Sequence, residues 1–371
     1  MQAALERRRY LNAVRAQCAT LAGFIKVFWS VLEPATRLEW GPVHDAMAQH
    51  LEAVTRGDIK RLLINVPPGF MKSLMVSVFW PAWEWGAKGR ASQRILSTSW
   101  SETIATRDAR KMRELVESEL FQALWGEQVK IVRGGGTDFE NSKKGWRRAR
   151  AFGSLTGDRG DIVILDDPHS TEGAESDAKR EATLRVLRES VPTRLNSPKN
   201  SSIVVIMQRL HEYDVSGYLL KNDPDYVHLC LPMRFEPDRA CSTRIGFTDP
   251  RTDDGELLDP VRCDEERVAK LEHDLGEYAA AGQLQQRPAP REGAMFKRRW
   301  FEFVDEVPEG GVPIRAWDVA ATSAKGGREP DYTVGLLGKK GRDGYIYILD
   351  MVRFRAGTSE VMSTIMATAE R

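Results

Sequence analysis

Residues 61–73 read RLLINVPPGFMKS. The run from Arg61 to Val66 is short, apolar and closed by Pro67-Pro68, which suits a strand buried on both faces of a parallel sheet better than a helix. After Lys72-Ser73 a helical segment carries Leu74, Val76, Val78 and Phe79, and Pro81 is expected to kink or end it. A loop between a buried strand and a helix is where a parallel sheet places its ligand site. Backbone N–H groups and a helix N-terminus there favour phosphate, a lysine reaches the β- and γ-phosphates, and a hydroxyl meets Mg²⁺. Pro68, Gly69, Phe70, Met71, Lys72 and Ser73 are therefore the candidate nucleotide-binding residues, with Ser73 also a candidate metal ligand. The usual pattern would place glycine at positions 66 and 71, where this chain has Val66 and Met71. Taken alone, the segment reads equally well as a Pro-rich turn opening a core helix.

Outward from this loop the pattern alternates. Strands are expected at 94–98, 162–165 and 202–207, a long amphipathic helix at 101–119, and a solvent-facing helical stretch at 171–195. Strands alternating with helices give an α/β fold with a mostly parallel sheet. Residues 1–55 carry apolar side chains at helical spacing. Residues 232–264 turn loop-rich, a helix follows at about 265–283, and 285–293 (QQRPAPREG) has the texture of an interdomain linker. Three further strands are expected at 313–320, 332–337 and 345–352. The expected organisation is a helical lid at 1–55, a P-loop ATPase domain at 56–285, a linker at 286–311 and a smaller domain at 312–371.

The second chemical signal is Asp166-Asp167, two carboxylates directly after the apolar run 162–165. Mg²⁺ takes oxygen ligands and keeps several waters, so Asp166 is the candidate metal ligand. Asp167 is placed to orient or deprotonate an attacking water. Acidic pairs at strand ends are also ordinary turn chemistry; what shifts the reading is their arrival after a Lys-Ser loop. Upstream, residues 143–150 (KKGWRRAR) hold a basic cluster that reads either as a grip on a DNA backbone or as a solvated hairpin. Arg159, in a Gly-rich loop beside the acidic strand, is a candidate to reach a phosphate, including one in a neighbouring subunit. Gln208, at the end of the third strand, is a candidate γ-phosphate sensor.

Composition sets bounds on this reading without deciding it. Hydrophobic residues make up 42% of 371 and charged residues 29%, ordinary for a folded chain with a sizeable core. Net charge is +1, so a nucleic-acid surface must come from local clusters. The four cysteines form no C-x-x-C pair, which argues against a zinc site or disulfide framework. No apolar run is long enough for a membrane span and no signal peptide is legible, so a cytoplasmic location is expected.

Together the segments resemble the large terminase subunit of tailed bacteriophages and prophages. Residues 64–86 (INVPPGFMKSLMVSVFWPAWEWG) are similar to that family's deviant Walker A loop and following helix, and 94–115 (RILSTSWSETIATRDARKMREL) to the segment after it. Residues 153–169 (GSLTGDRGDIVILDDPH) resemble its Walker B region, and 203–220 (IVVIMQRLHEYDVSGYLL) its coupling motif. The resemblance covers about residues 35–300. It implies a helicase-like P-loop core with a lid, ATP and Mg²⁺ as cofactors, and a role in translocating double-stranded DNA into a procapsid. The implied partners are the DNA, the portal protein and the small terminase subunit, with a ring-shaped homo-oligomer on the portal and no membrane; the implied setting is the bacterial host cytoplasm. By position, Lys72 and Ser73 would bind phosphates and Mg²⁺, Asp166 the metal, and Asp167 would take the slot more often held by a catalytic Glu. Trp40 and His44 fall where the family contacts adenine. Many members carry an arginine in the loop; here none is present, which points to Arg159 as the arginine finger.

Residues 314–338 (IRAWDVAATSAKGGREPDYTVGLLG) and 344–355 (GYIYILDMVRFR) resemble the opening of the family's RNase H-like nuclease. Asp318 matches its first metal ligand and Asp331 is a weaker candidate, with Mg²⁺ or Mn²⁺ as the metal; Asp343 and Asp350 read better as exposed turn acids. The family's remaining acidic ligands lie on later strands, so this polypeptide is expected not to cut DNA. Two alternatives stand beside the motor. A helicase-like P-loop motor would need a second RecA-like domain after residue 240, and a decayed prophage remnant would only bind DNA or portal.

Overall fold

The computed structural model describes residues 1–155, 157–289, 300–320 and 332–369. The chain divides into two units, Met1–Arg291 and Glu292–Arg371. The first is built on eight strands: β1 (Arg61–Asn65), β2 (Arg94–Ser99), β3 (Ile131–Gly134), β4 (Asp138–Asn141), β5 (Trp146–Ala151), β6 (Ile162–Asp166), β7 (Ser202–Met207) and β8 (Val227–Cys230). Their order is β3-β4-β5-β2-β6-β7-β1-β8. Pairing is parallel from β5 to β8, and only the β3–β4 and β4–β5 pairs are antiparallel. The mixed α/β fold with a mostly parallel sheet is thus the one expected from the alternating pattern.

The continuous apolar runs follow from helices covering both faces. Along β1, Leu62 and Ile64 enter one hydrophobic cluster while Leu63 enters the other. The larger cluster gathers the helices Leu21–Leu32, Pro42–Arg56, Trp80–Trp85 and Glu102–Glu117, and the smaller one the helices Asp177–Glu189 and Val215–Asn222. Buried Asn65 is the polar exception on β1. Its side-chain nitrogen donates to Met207 O and Ser216 Oγ (both 2.9 Å), and its oxygen lies 2.8 Å from His228 Nε2. Every polar atom of that side chain is therefore satisfied.

Two local expectations are refined. Of the two outcomes expected at Pro81, ending is not seen: a π-helical turn, Leu74–Phe79, runs straight into the α-helix Trp80–Trp85, and the change of helix type falls at the proline. The basic stretch 143–150 is in part the hairpin it reads as: Lys143 and Lys144 lie exposed in the turn between antiparallel β4 and β5, while the rest is β5, an interior strand between β2 and β4.

The second unit holds β9 (Ile314–Asp318), β10 (Thr333–Lys340) and β11 (Ile346–Phe354), an antiparallel sheet in the order β11-β10-β9, and the helix Thr358–Ala369.

Candidate functional site

β1, β6 and β7 run parallel, so their C-terminal ends emerge together. β7 lies between β1 and β6, which brings the loop after Asn65, the acids ending β6 and the turn after Met207 to one edge. There Ser73 Oγ donates to Asp166 Oδ1 (3.0 Å) and Ser77 Oγ to Asp166 Oδ2 (2.8 Å). Lys72 is buried at 7% exposure, its Nζ donating to the carbonyls of Val66 and Pro67 (both 3.2 Å). Gln208 N donates to Asp167 Oδ1 at 3.3 Å. Lys72, Ser73, Asp166, Asp167 and Gln208, noted separately in the sequence, form one constellation.

The loop takes a left-handed turn at Met71 (φ +53°), the position where the usual pattern has glycine, and another at Gly69 (φ +90°). A left-handed non-glycine residue costs on the order of 1 kcal/mol or more. Here the Met71 side chain packs against the larger core, which offsets part of that strain. Pro68 and Gly69 face solvent while Phe70 is fully buried. Asp167 is left-handed too (φ +43°), held by its N–H to Ile206 O (2.8 Å) and its carbonyl to Trp100 N (3.1 Å).

Burial dominates the electrostatics. It pushes the Asp166 carboxyl up to about 7; Asp167 and Asp108 push the same way, and the two serine hydroxyls pull it down. Asp167 is also raised by burial, opposed by Lys72 and the Gln208 N–H. Burial lowers Lys72, against the pull of both carboxylates. Behind the site stands Arg147 on β5, fully buried, with Nε and Nη2 unpartnered among the described residues. Burial draws its guanidinium down to about 10, and Asp108 and Asp166 act against that. Arg107 forks onto Asp108 (2.9 and 3.2 Å).

The residues fit Mg²⁺. The donors are all oxygens, and the 3.0 Å between Ser73 Oγ and Asp166 Oδ1 equals the spacing of adjacent ligands in an octahedron of ~2.1 Å bonds. Ser99, level with Asp166 on β2, has a buried hydroxyl with no partner among the described residues, suited to a metal-bound water.

Trp40 and His44 reach the loop from the other side. The His44 ring lies 5.2 Å from Trp40 and 6.3 Å from Phe70. Its Nδ1 accepts from Gly41 N (3.0 Å), so Nε2 carries the proton of the neutral ring, and that buried atom has no partner among the described residues. Burial holds the imidazole neutral, its pKa down at about 4.

Arg159 is not brought to this edge. It precedes β6, and its neighbour Gly160 bridges Leu195 at the sheet's opposite end. The length of β6, roughly 13–16 Å at ~3.3 Å per residue, separates its backbone from Asp166. The arginines of the basic cluster are engaged, while Lys143 and Lys144 stay exposed: Arg147 is buried, Arg148 pairs with Asp158, and Arg150 pairs with Asp138 (2.6 Å) and Asp158 (2.8 Å). In the second unit Asp318 ends β9, exposed, Asp350 pairs with Arg315 (2.6 Å), and Asp331 lies outside the described residues. Among the described residues, no helix is long and apolar enough to cross a membrane.

No protein-family model and no curated protein matches the chain. Among solved structures it matches the large terminase of bacteriophage HK97 at 15% identity and a TM-score of 0.47, over 94% of this chain and 70% of that one. The chain is similar to a phage large terminase. Sequence reasoning missed Ser77 and Arg107 and read Arg147 only as part of a basic cluster. Only Ser77, four residues after Ser73 and so near the same helical face, left a signal that spacing could have caught.

Proposed function

We propose that this chain is the ATP-hydrolysing motor subunit of a DNA-packaging machine of the large-terminase kind, moving double-stranded DNA into a procapsid with a portal protein and a small subunit as partners. What carries the reading is the hydrogen bond from Ser73 to Asp166, which joins the hydroxyl of a Lys-Ser loop to the carboxylate at the end of β6. The ordered segments that resemble terminase motifs give the packaging context. A helicase-like motor is the weaker alternative: after residue 240 the described residues hold loops, a kinked helix (Glu265–Gln283), an antiparallel sheet and the helix Thr358–Ala369, with no second parallel sheet among them.

In this reading the loop amides and Lys72 cradle the β- and γ-phosphates, and Ser73 and Asp166 hold Mg²⁺, which when bound neutralises developing phosphate charge. Asp167 orients the attacking water and accepts its proton; its raised pKa brings it nearer to neutrality, as a general base requires. Gln208, hydrogen-bonded to Asp167 through its backbone, registers the change at the γ-phosphate. Steady-state ATPase assays with DNA test the proposal. Wild type should turn over, and Lys72→Ala and Asp167→Asn should each lose at least ~100-fold, in the range of removing a charge-stabilising or general-base group. Equal rates in wild type and Lys72→Ala would remove the motor.

A further inference from the structure

The turn after Asp259 delivers a basic side chain to the phosphate loop. Asp259 Oδ1 accepts from Val261 N and Arg262 N (both 3.2 Å), which sets the turn. The same carboxylate presses on Gly41, where a Cβ would stand 2.2 Å from Asp259 Oδ2, so only glycine allows this approach. Arg262, thus placed, donates from Nε to the Gly69 carbonyl (2.8 Å) and from Nη1 to Glu39 (2.9 Å). Its Nη2 has no hydrogen-bond partner among the described residues, and the side chain keeps 28% exposure. The positive charge is felt at His44, where it is among the influences keeping that ring neutral.

A polyphosphate brings several negative charges to a loop already facing Asp166, Asp167 and Glu39. Lys72 is tied to the start of the loop by two carbonyls. A guanidinium fastened to the middle of the same loop, with N–H groups to spare, is preorganised for a charge-assisted bond to a phosphate oxygen. We propose that Arg262 binds the nucleotide's polyphosphate through Nη2, as a second cation contributed from outside the Lys-Ser loop. This rests on the nucleotide reading above.

The test measures binding of ATP and of adenosine to the full chain for wild type, Lys72→Ala, Arg262→Ala, Arg262→Lys and Glu39→Gln, with thermal unfolding as a control for folding. Arg262→Ala should weaken ATP about 10- to 100-fold, the range for a hydrogen bond to a charged group, and leave adenosine nearly unchanged. Arg262→Lys should recover part of the loss. Glu39→Gln, which removes a competing negative charge, should bind ATP more tightly than wild type. If Arg262 only staples the turn to the loop, Arg262→Ala and Glu39→Gln will weaken ATP and adenosine alike, and the proposal falls. ATP binding by wild type, lost in Lys72→Ala but intact in Arg262→Ala, would sink this role and leave the nucleotide site standing. Should wild type bind no ATP, the nucleotide reading fails first and takes Arg262 with it.

Discussion

Two hydroxyls, from Ser73 and Ser77, hold the oxygens of Asp166, while burial and, after it, neighbouring Asp167 raise its pKa to about 7. In an unfolded chain the value is roughly 3.9. Between about pH 4 and 7 the folded protein therefore keeps a proton that the unfolded chain has lost, so stability falls as pH rises through that window. Asp166→Asn removes this dependence. Without Mg²⁺ the variant should be the more stable at both pH 5 and pH 8, its advantage growing by about 2–3 kcal/mol between them, an order-of-magnitude figure from the two pKa values. Urea unfolding at the two pH values reads this directly. Mg²⁺ should stabilise wild type more at pH 8 than at pH 5 and leave the variant unmoved; a variant less stable than wild type at both would contradict the sign.

At the level of elements, the segment after β7 is bound to the helix that follows it and to the end of the first unit. Arg209 Nε is shared between the two oxygens of Asp214 (3.0 Å to each), and Asp214 also caps the helix Val215–Asn222 through Gly217 N (2.8 Å). Arg209 N donates to Gln286 Oε1 at 2.9 Å. Asp214→Ala strands a buried guanidinium and should cost about 3–5 kcal/mol. Gln286→Ala leaves one buried N–H unpaired and should cost about 1–2 kcal/mol; denaturant midpoints will rank them. This is also where sequence reading succeeded and where it stopped. The strands at 61–66, 162–165 and 202–207 were legible because parallel strands buried on both faces are continuous apolar runs, and the loop and acids could be placed from their ends. β5 was not, since WRRARA is polar by composition; in the fold Asp138 and Asp158 answer Arg148 and Arg150 from elsewhere in the chain, and Arg147 is buried. Arg262 lies 193 positions from the carbonyl it meets, and spacing along the chain holds no trace of such a contact.

At the level of the molecule, the second unit's acids are dispersed in what the structure describes. Asp318 is exposed, Asp350 is engaged by Arg315, and no group of three or more His, Cys, Asp or Glu positioned for a metal occurs among the described residues. A two-metal nuclease needs several carboxylates converging on one point. With Mn²⁺ and supercoiled plasmid, wild type and Asp318→Ala are expected to leave the substrate equally intact; nicking by wild type that disappears in the variant would overturn this. The first unit has a different logic, set by its strand order. β7 is laced by parallel ladders to β6 on one flank and to β1 on the other over its full length. A strand so clamped cannot slide without breaking both seams at once. If hydrolysis drives a displacement here, β7 is the fixed anvil, and the stroke has to be delivered by the backbone beyond Met207.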